Sequence, residues 1–562
     1  MNQLSGAEAF VRMLQGHGVR HIFGLCGDTS LPLYDALYRL DHGITHVLAR
    51  DERSAAYMAD AYARVTGRVG VCEGPSGGGA TYLLPGVVEA NESAIPVLAV
   101  TTDIAVGSRG RYVLTELDQE ALYRPLTKWN RVLDRAEAIP QTLRAAFRHM
   151  TTGRPGAAHI GLPFDVQKDP VDEAAVHADP ALGEFPARRV APEPAAIEAA
   201  AQAILAAERP LLICGGGPVI AGAWAELRAL AELLELPVAT TISGQGSIAE
   251  DHPLALGVVG SNGGTPETRA VVDEADLVIL LGCRAGSVTT ERWQHPAPGE
   301  VRVVHIDVDP AVIGANYPTE VAVVGDARLA LLALLETLAG RVPSARAFGR
   351  ARVARAKAEK LAAYRELARS DETPIRPERI VATLQELLPR DALVVADAGT
   401  PCPYLSAYYE FREAGRHFVT NRAHGALGYA LPAAIGAKIG RPGATCVAVM
   451  GDGSFGFAAG ELETIARLGL PITMVVVANA TFGWIKAGQR SGFGERYFAV
   501  DFTPGQHARI AEAYGIRAWR VEDPAELRPA LVAALEADAP ALVDVVTQPL
   551  HEARAPVSEW IA

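Results

Sequence analysis

Short apolar runs, bounded by Gly, Pro or a charged residue and separated by helix-length segments, recur along the whole chain. GVRHIFGL, ITHVLAR, VGVCEG, IPVLAVT and AAHIGLP come first, then PLLICGGG, PVATTI, DLVILLGC and VRVVHIDV, and last ALVVADAG, CVAVMGDGS, ITMVVVAN and ALVDVVT. Runs rich in Val and Ile, apolar on both faces, mark strands inside parallel sheets whose two sides are covered by crossover helices. The pattern therefore predicts an α/β protein of doubly wound parallel sheets. Two stretches break it: residues 168–194 are rich in Pro and charge, and residues 340–378 hold a basic Ala-rich helix followed by SDETPIRPE. Both read as connections, dividing the chain into blocks 1–180, 181–345 and 370–562.

Length agrees with this division, since 562 residues at ~150 per domain make three or four units. With 49% hydrophobic and 21% charged residues, the chain is neither a disordered tail, a collagen-like fibre nor a small disulfide scaffold. A net charge of −13 argues against a nucleic-acid partner, which clustered Lys and Arg would hold. The richest basic run, RARVARAKAEK at 350–360, alternates with Ala at helical spacing and reads as a solvated helix face. Six widely spaced cysteines form no CxxC pair, which fits a reducing compartment. The N-terminal residues lack the h-region of a signal peptide, and no long apolar window reads as a membrane span. These features predict a soluble, cytoplasmic protein.

The strongest local signal for chemistry is residues 446–486, CVAVMGDGSFGFAAGELETIARLGLPITMVVVANATFGWIK. A strand ends at Met450, a Gly451-Asp452-Gly453-Ser454 turn opens a helix reaching about Leu468, and a second strand ends at Asn479. Parallel strands deliver their C-terminal ends to one sheet edge, where ligands of open α/β sheets bind. Asp452 and Asn479 are therefore predicted to face one pocket, as hard oxygen ligands suited to Mg²⁺ shared with phosphates. Gly453 and Ser454 begin a helix whose N-terminal amides favour the same diphosphate. Alone, GDGS is also an ordinary strand-to-helix turn; the strand-end Asn tips the reading towards a site.

On these residues the chain resembles the thiamine diphosphate (ThDP) enzymes, whose signature is GDG followed downstream by Asn in an NN or similar pair; here the pair is Ala478-Asn479. The resemblance implies Mg²⁺ held by Asp452, Asn479 and the backbone carbonyl of Thr481. Residues 50–64, RDERSAAYMADAYAR, resemble the family helix that carries the catalytic glutamate, with Glu52 in that place. Unpaired with the later signal, Glu52 would read as a dipole partner early in a helix. Residues 74–82, GPSGGGATY, are similar to the turn over the cofactor pyrimidine, which implicates Gly77 and Gly78. NRAHGALG at 421–428 is similar to the segment beneath the bent cofactor: Gly425 and Ala426 line it, and Leu427 takes the place of the apolar wedge. AGTPCPY at 398–404 resembles the diphosphate contact, through Ala398, Gly399 and Thr400. The same resemblance places Gly451, Gly453, Ser454 and Phe482 at the cofactor, and Cys26, Thr115 and Trp484 at the substrate.

The middle block has GGGP where a nicotinamide site needs GxGxxG, and its HPLALGVVG, HIDVDP and VVGDAR stretches are similar to the central domain of acetolactate synthases. The likeness thus spans nearly the whole chain. In LTELDQEALYRPLTKWN at 114–130, Glu116, Asp118 and Lys128 persist, whereas Leu114 and Thr115 replace Phe and Gln of those enzymes. The stretch associated with FAD there is Arg284-Ala285-Gly286-Ser287-Val288 here. These departures weigh against strict pyruvate specificity and against FAD, which stays a disfavoured alternative. The paired His of simple pyruvate-type decarboxylases is missing from 108–124.

The resemblance implies a three-domain carboligase or decarboxylase, acetolactate synthase-like, in which a C2 ylid attacks a 2-oxo acid or related carbonyl compound. The resulting enamine adds to a second carbonyl. It also implies a homodimer or homotetramer, because the family pairs the first and third blocks across subunits. The alternatives are a flavin enzyme of the pyruvate oxidase type, a ThDP lyase acting on 2-hydroxyacyl compounds, and a non-catalytic homologue.

Overall fold

The computed structural model describes residues 3–342, 348–553 and 555–560. It contains three six-stranded sheets and one small two-stranded sheet. The first large sheet runs, edge to edge, Thr45–Leu48, His21–Gly24, Gly70–Gly74, Val97–Asp103, Ala158–Pro163 and Trp129–Val132. The second runs Ala255–Val258, Val238–Thr240, Pro210–Cys214, Leu277–Leu281, Arg302–Asp307 and Val321–Val324. The third runs Phe418–Thr420, Leu393–Ala396, Cys446–Gly451, Ile472–Ala478, Ala541–Val546 and Arg517–Val521. Every pairing within these three sheets is parallel. The doubly wound α/β class predicted from the apolar runs is the class observed.

Each of those runs forms a strand, and within the three large sheets the strands missing from the pattern, Trp129–Val132, Ala255–Val258, Val321–Val324, Phe418–Thr420 and Arg517–Val521, all lie at sheet edges. An edge strand has one neighbour and keeps part of its length in solvent, so it needs no continuous apolar run. Trp129–Val132, Val321–Val324 and Arg517–Val521 are accordingly half-buried or exposed over most of their length.

Two compact units divide the chain. The first joins the described residues up to Arg188 with Asn421–Gly443 and Ala458–Leu470; the second comprises Arg189–Thr420, Ala444–Phe457 and the residues from Pro471 onward. In the first unit, the helix Glu52–Thr66 is capped by Asp51, whose side chain accepts from the Arg53 amide, and ends at Gly67 with φ 73°. That left-handed φ costs glycine nothing and makes it the natural stop. The helix is buried nearly all round and lies against the helix Ala430–Gly440, where a Cβ on Gly436 would sit 2.0 Å from the Met58 carbonyl oxygen. Only glycine allows so close an approach.

In the second unit the basic run forms the helix Phe348–Ala368, but its cations are not all solvated, which corrects the sequence expectation. Val353 and Ala356 are buried. Arg352 and Arg355 pair with Glu274 at 3.5 and 2.6 Å, and Lys357 donates to the Glu250 carbonyl. The Ala-rich spacing hid an inward face that carries charge on long stems.

Glu250 is buried, accepts from the Phe411 amide at 3.0 Å and from Gln245 at 3.1 Å, and has Lys360 and Lys357 nearby. Burial pushes its carboxyl up to about 7 and the Lys360 ammonium down, each towards its neutral form. No helix among the described residues is long and apolar enough to cross a membrane, and all six cysteines carry free thiols.

Because the folded protein holds the Glu250 proton more tightly than an unfolded chain does, this group's contribution to stability is lost as pH rises from the ordinary carboxylate range to about 7. Glu250→Gln removes that titration. Thermal unfolding midpoints at pH 5 and pH 8 should show the variant gaining on wild type at the higher pH, by up to ~3 kcal/mol in stability. An equal difference at both pH values would contradict this origin.

Candidate active site

Glu52 opens its helix just past the Asp51 cap. The preceding residue is tied down as well: the Arg50 amide donates to Glu461 Oε1 at 2.9 Å, and Glu461, itself buried, takes the Thr464 hydroxyl at 2.6 Å. The Glu52 side chain is 7% exposed and lies against glycine backbone. A Cβ on Gly79 would be 3.0 Å from its Oε1, and one on Gly74 would be 3.3 Å from its Cγ. Burial raises the Glu52 carboxyl above its ordinary range, and the charges of Asp51 and Glu73 act in the same direction, against its own backbone N–H. Burial thus favours the protonated form of this carboxyl more than water would.

Around Glu52 the first unit assembles much of what the sequence singled out. Gly77 has φ 69° and begins the short helix Gly78–Tyr82. A Cβ on Gly77 would lie 2.8 Å from the Thr115 Cβ, while Gly78 is exposed and faces open space. Ser76 links the turn to its surroundings: its hydroxyl meets Thr115 Oγ1 at 2.7 Å and Thr29 Oγ1 at 3.2 Å, and Thr29 meets Thr102 at 2.8 Å. Thr115 itself sits at φ 69°, a strained conformation for a β-branched residue. Cys26 is exposed, on the loop after His21–Gly24, and its thiol is raised by partial burial and by the charge of Glu73. Gly425, Ala426 and Leu427 also belong to this unit; Leu427 is half-buried, and Gly425, at φ 74°, faces open space.

Sequence reasoning passed over Glu73. It is buried at the end of Gly70–Gly74, accepts from the Tyr34 hydroxyl, and has His46 Nε2 at 3.4 Å from Oε1 and 2.9 Å from the Tyr34 oxygen. An acid inside the apolar run VGVCEG was the available signal. The persisting residues of the 114–130 stretch have local duties: Glu116 accepts the Gly110 and Val113 amides, Asp118 caps the helix Gln119–Tyr123, and Lys128 Nζ donates to the carbonyls of His149, Thr152 and Arg154.

The second unit carries the strand-end pair. Asp452, 6% exposed, begins the helix Asp452–Ala458. Its Oδ2 accepts the amides of Asn479 at 2.8 Å and Ala480 at 2.6 Å, and its Oδ1 that of Gly453 at 2.8 Å. Asp452 and Asn479 thus lie together at the ends of paired strands. Burial raises the Asp452 carboxyl against the pull of these amides. The Thr481 hydroxyl donates to the Val500 carbonyl at 2.9 Å, following Ala480 at φ 55°. Phe482 closes on the turn: a Cβ on Gly453 would be 2.7 Å from its ring, which also meets Phe502 edge-on at 5.3 Å. Ser454 is buried beside them. Ala398, Gly399 and Thr400 follow the neighbouring strand Leu393–Ala396, and Gly399 and Gly451 both face open space. Trp484 instead packs its ring on Trp560 at 5.1 Å, against the core of the third sheet.

A divalent ion with a diphosphate fits this donor set. Both polar atoms of the Asn479 side chain are buried without a protein partner, a costly arrangement unless a ligand satisfies them. Among the described residues no cluster of three or more His, Cys, Asp or Glu could hold a metal alone. One carboxylate, one amide and one carbonyl suit Mg²⁺ sharing its shell with phosphate oxygens.

Comparison with known proteins places the three blocks in one family. Residues 4–122 match the N-terminal TPP binding domain of thiamine pyrophosphate enzymes, 197–334 the central domain, and 397–545 the C-terminal TPP binding domain. A probable acetolactate synthase large subunit of Methanocaldococcus jannaschii is 36% identical over 97% of this chain and 92% of its own length. An acetolactate synthase of Arthrospira platensis is 34% identical over 97% and 94% respectively. The large subunit from Mycobacterium tuberculosis is 34% identical over 93% and 85%. With Glu52 in the first matched domain, Asp452 and Asn479 in the third, and relatives aligned nearly end to end, the chain belongs to the thiamine pyrophosphate enzyme family, beside the acetolactate synthase large subunits.

Proposed function

We propose that this enzyme uses ThDP and Mg²⁺ to cleave the bond between the carboxylate and carbonyl carbons of a 2-oxo acid, releasing CO₂, and to join the remaining acyl carbon to a second carbonyl compound. The observation that carries this reading is Glu52, a buried carboxyl pressed against the glycines of the Gly74–Gly79 turn and raised by that burial. ThDP, when bound, supplies the nucleophilic carbon and the electron sink. Glu52 would hold a proton at the pyrimidine N1′, in a setting dry enough to strengthen that bond. Asp452, Asn479 and the Thr481 carbonyl would hold Mg²⁺; Ala398 to Thr400, Gly451, Gly453 and Ser454 would receive the diphosphate, and Phe482 would flank it.

Gly77, Gly78, Gly425, Ala426 and Leu427 would shape the rest of the cofactor cradle, with Cys26 and Thr115 towards the substrate; Trp484, packed on Trp560, has no such role in this reading. Acetolactate synthase relatives support the carboligase step, while Leu114 and Thr115 support donors beyond pyruvate. FAD has no part in this reading. A homodimer or homotetramer, working in the cytoplasm, completes it.

A panel of 2-oxo acids, tried with and without aldehyde acceptors, should reveal at least one donor that releases CO₂ and one pair that yields a 2-hydroxy ketone. Glu52→Gln should lower that turnover at least ~100-fold without altering the fold; normal turnover would sink the assignment. Asn479→Ala should raise the Mg²⁺ concentration needed for ThDP binding by roughly 10-fold or more, measured by calorimetry, and an unchanged Mg²⁺ requirement would remove Asn479 from the ligand set. Sedimentation of active enzyme should give a dimer or tetramer, and a fully active monomer would contradict it.

A further inference from the structure

The Asn421–Tyr429 segment is held from below by a buried carboxylate that plays no part in the chemistry described so far. Glu89, 1% exposed on the helix Leu84–Glu92, points its Oε2 at three successive backbone amides: His424 at 2.7 Å, Ala423 at 3.2 Å and Gly425 at 3.4 Å. Three consecutive N–H groups converging on one oxygen form an anion nest, and bonds to an ionised acceptor are the stronger kind. Its Oε1 is fixed by Ser93 Oγ at 2.8 Å and by Arg64 at 3.1 Å. Arg64 also donates to Asp60 at 2.8 Å, and Asp60 accepts the Tyr429 hydroxyl at 2.5 Å. Asn421 closes the loop on itself through the Ala426 carbonyl at 2.6 Å. The loop is thus gripped at its amides, at one carbonyl and at its final tyrosine, while His424 and Gly425 stay exposed and Leu427 half-buried.

We propose that Glu89 is the positioning residue of the wedge loop: its carboxylate fixes the backbone of Ala423 to Gly425 in the cofactor-free protein, so that Gly425, Ala426 and Leu427 are already set when ThDP arrives. This rests on the reading of Leu427 as the wedge. The Arg64 link gives the arrangement a second consequence, because Asp60 and Arg64 stand on the helix that begins with Glu52. One helix therefore carries Glu52 at its start and anchors the wedge loop further along. A glutamine at position 89 would keep the shape but lose the charge, and in one rotamer would turn an amide N–H towards three others.

The test compares wild type with Glu89→Gln. In the cofactor-free proteins, hydrogen exchange at the amides of Ala423, His424 and Gly425 should accelerate about tenfold or more, with exchange in the strand Gly70–Gly74 unchanged as the fold control. ThDP affinity by calorimetry should fall about tenfold, and turnover at saturating ThDP should fall less than affinity does. Ser93→Ala, which frees one side of the carboxylate, should accelerate the same amides by a smaller factor and keeps the test open if Glu89→Gln does not fold. Unchanged exchange at these amides, or faster exchange with unchanged ThDP affinity, would overturn the proposal. Wild-type protein that binds no ThDP would overturn the functional reading instead, and the exchange result alone would then decide whether Glu89 anchors the loop.

Discussion

The packing of the helix Glu52–Thr66 against the helix Ala430–Gly440 is the constraint on which the first unit depends. Gly436 lets the two backbones approach closely enough that any side chain there would overlap the Met58 carbonyl. Burial on nearly every side then determines what the residues of Glu52–Thr66 can be: Ala at five positions, larger apolar side chains such as Tyr57 and Met58 elsewhere, and polar groups with partners at Asp60 and Arg64. Glu52 is the exception. It begins the helix with a carboxyl that burial raises and that the adjoining glycines admit. Interiors pack too tightly to hold such a group by accident of slack, so its position is as rigid as the helix contact beneath it.

Much of this was legible in the sequence, for a physical reason. Central strands of a parallel sheet are buried on both faces, so their apolar runs stand out. The glycines at 74 to 79 and the Asp452-Asn479 pair carry chemistry that few other residue types could supply. Five of the six edge strands of the large sheets were lost because one open side relaxes their composition; Thr45–Leu48 alone kept an apolar run. The partners of the basic helix were lost because the spacing of Arg and Lys says which face they occupy, but not that Glu250 and Glu274 are turned to meet them. Glu73, Glu89 and Glu461 were passed over for a related reason: a single acid in a strand or helix looks solvated until the fold encloses it.

Burial raises both carboxyls, but their surroundings differ. Asp452 is met by three backbone amides that hold its oxygens in place and oppose the effect of burial. Glu52 lies among glycine backbone, where the charges of Asp51 and Glu73 add to burial and only its own backbone N–H opposes it. Hydrogen bonds to the ionised form suit a metal ligand, whereas burial beside like charges suits a group that carries a proton. The same distinction explains why Glu116, Asp118 and Lys128 need no place in the chemistry: each spends its hydrogen bonds on closing a loop or a helix end.

The route of the chain has a consequence for where it can be cut. The helix Ala430–Gly440 lies in sequence between Phe418–Thr420 and Cys446–Gly451, two strands of the third sheet, yet it packs in the first unit. A fragment ending at Arg188 would leave bare the apolar helix face that Gly436 covers. The N-terminal block is therefore not a portable module. Cutting this chain at the obvious linker would separate Glu52–Thr66 from the helix that packs on it and uncover apolar surface on both pieces.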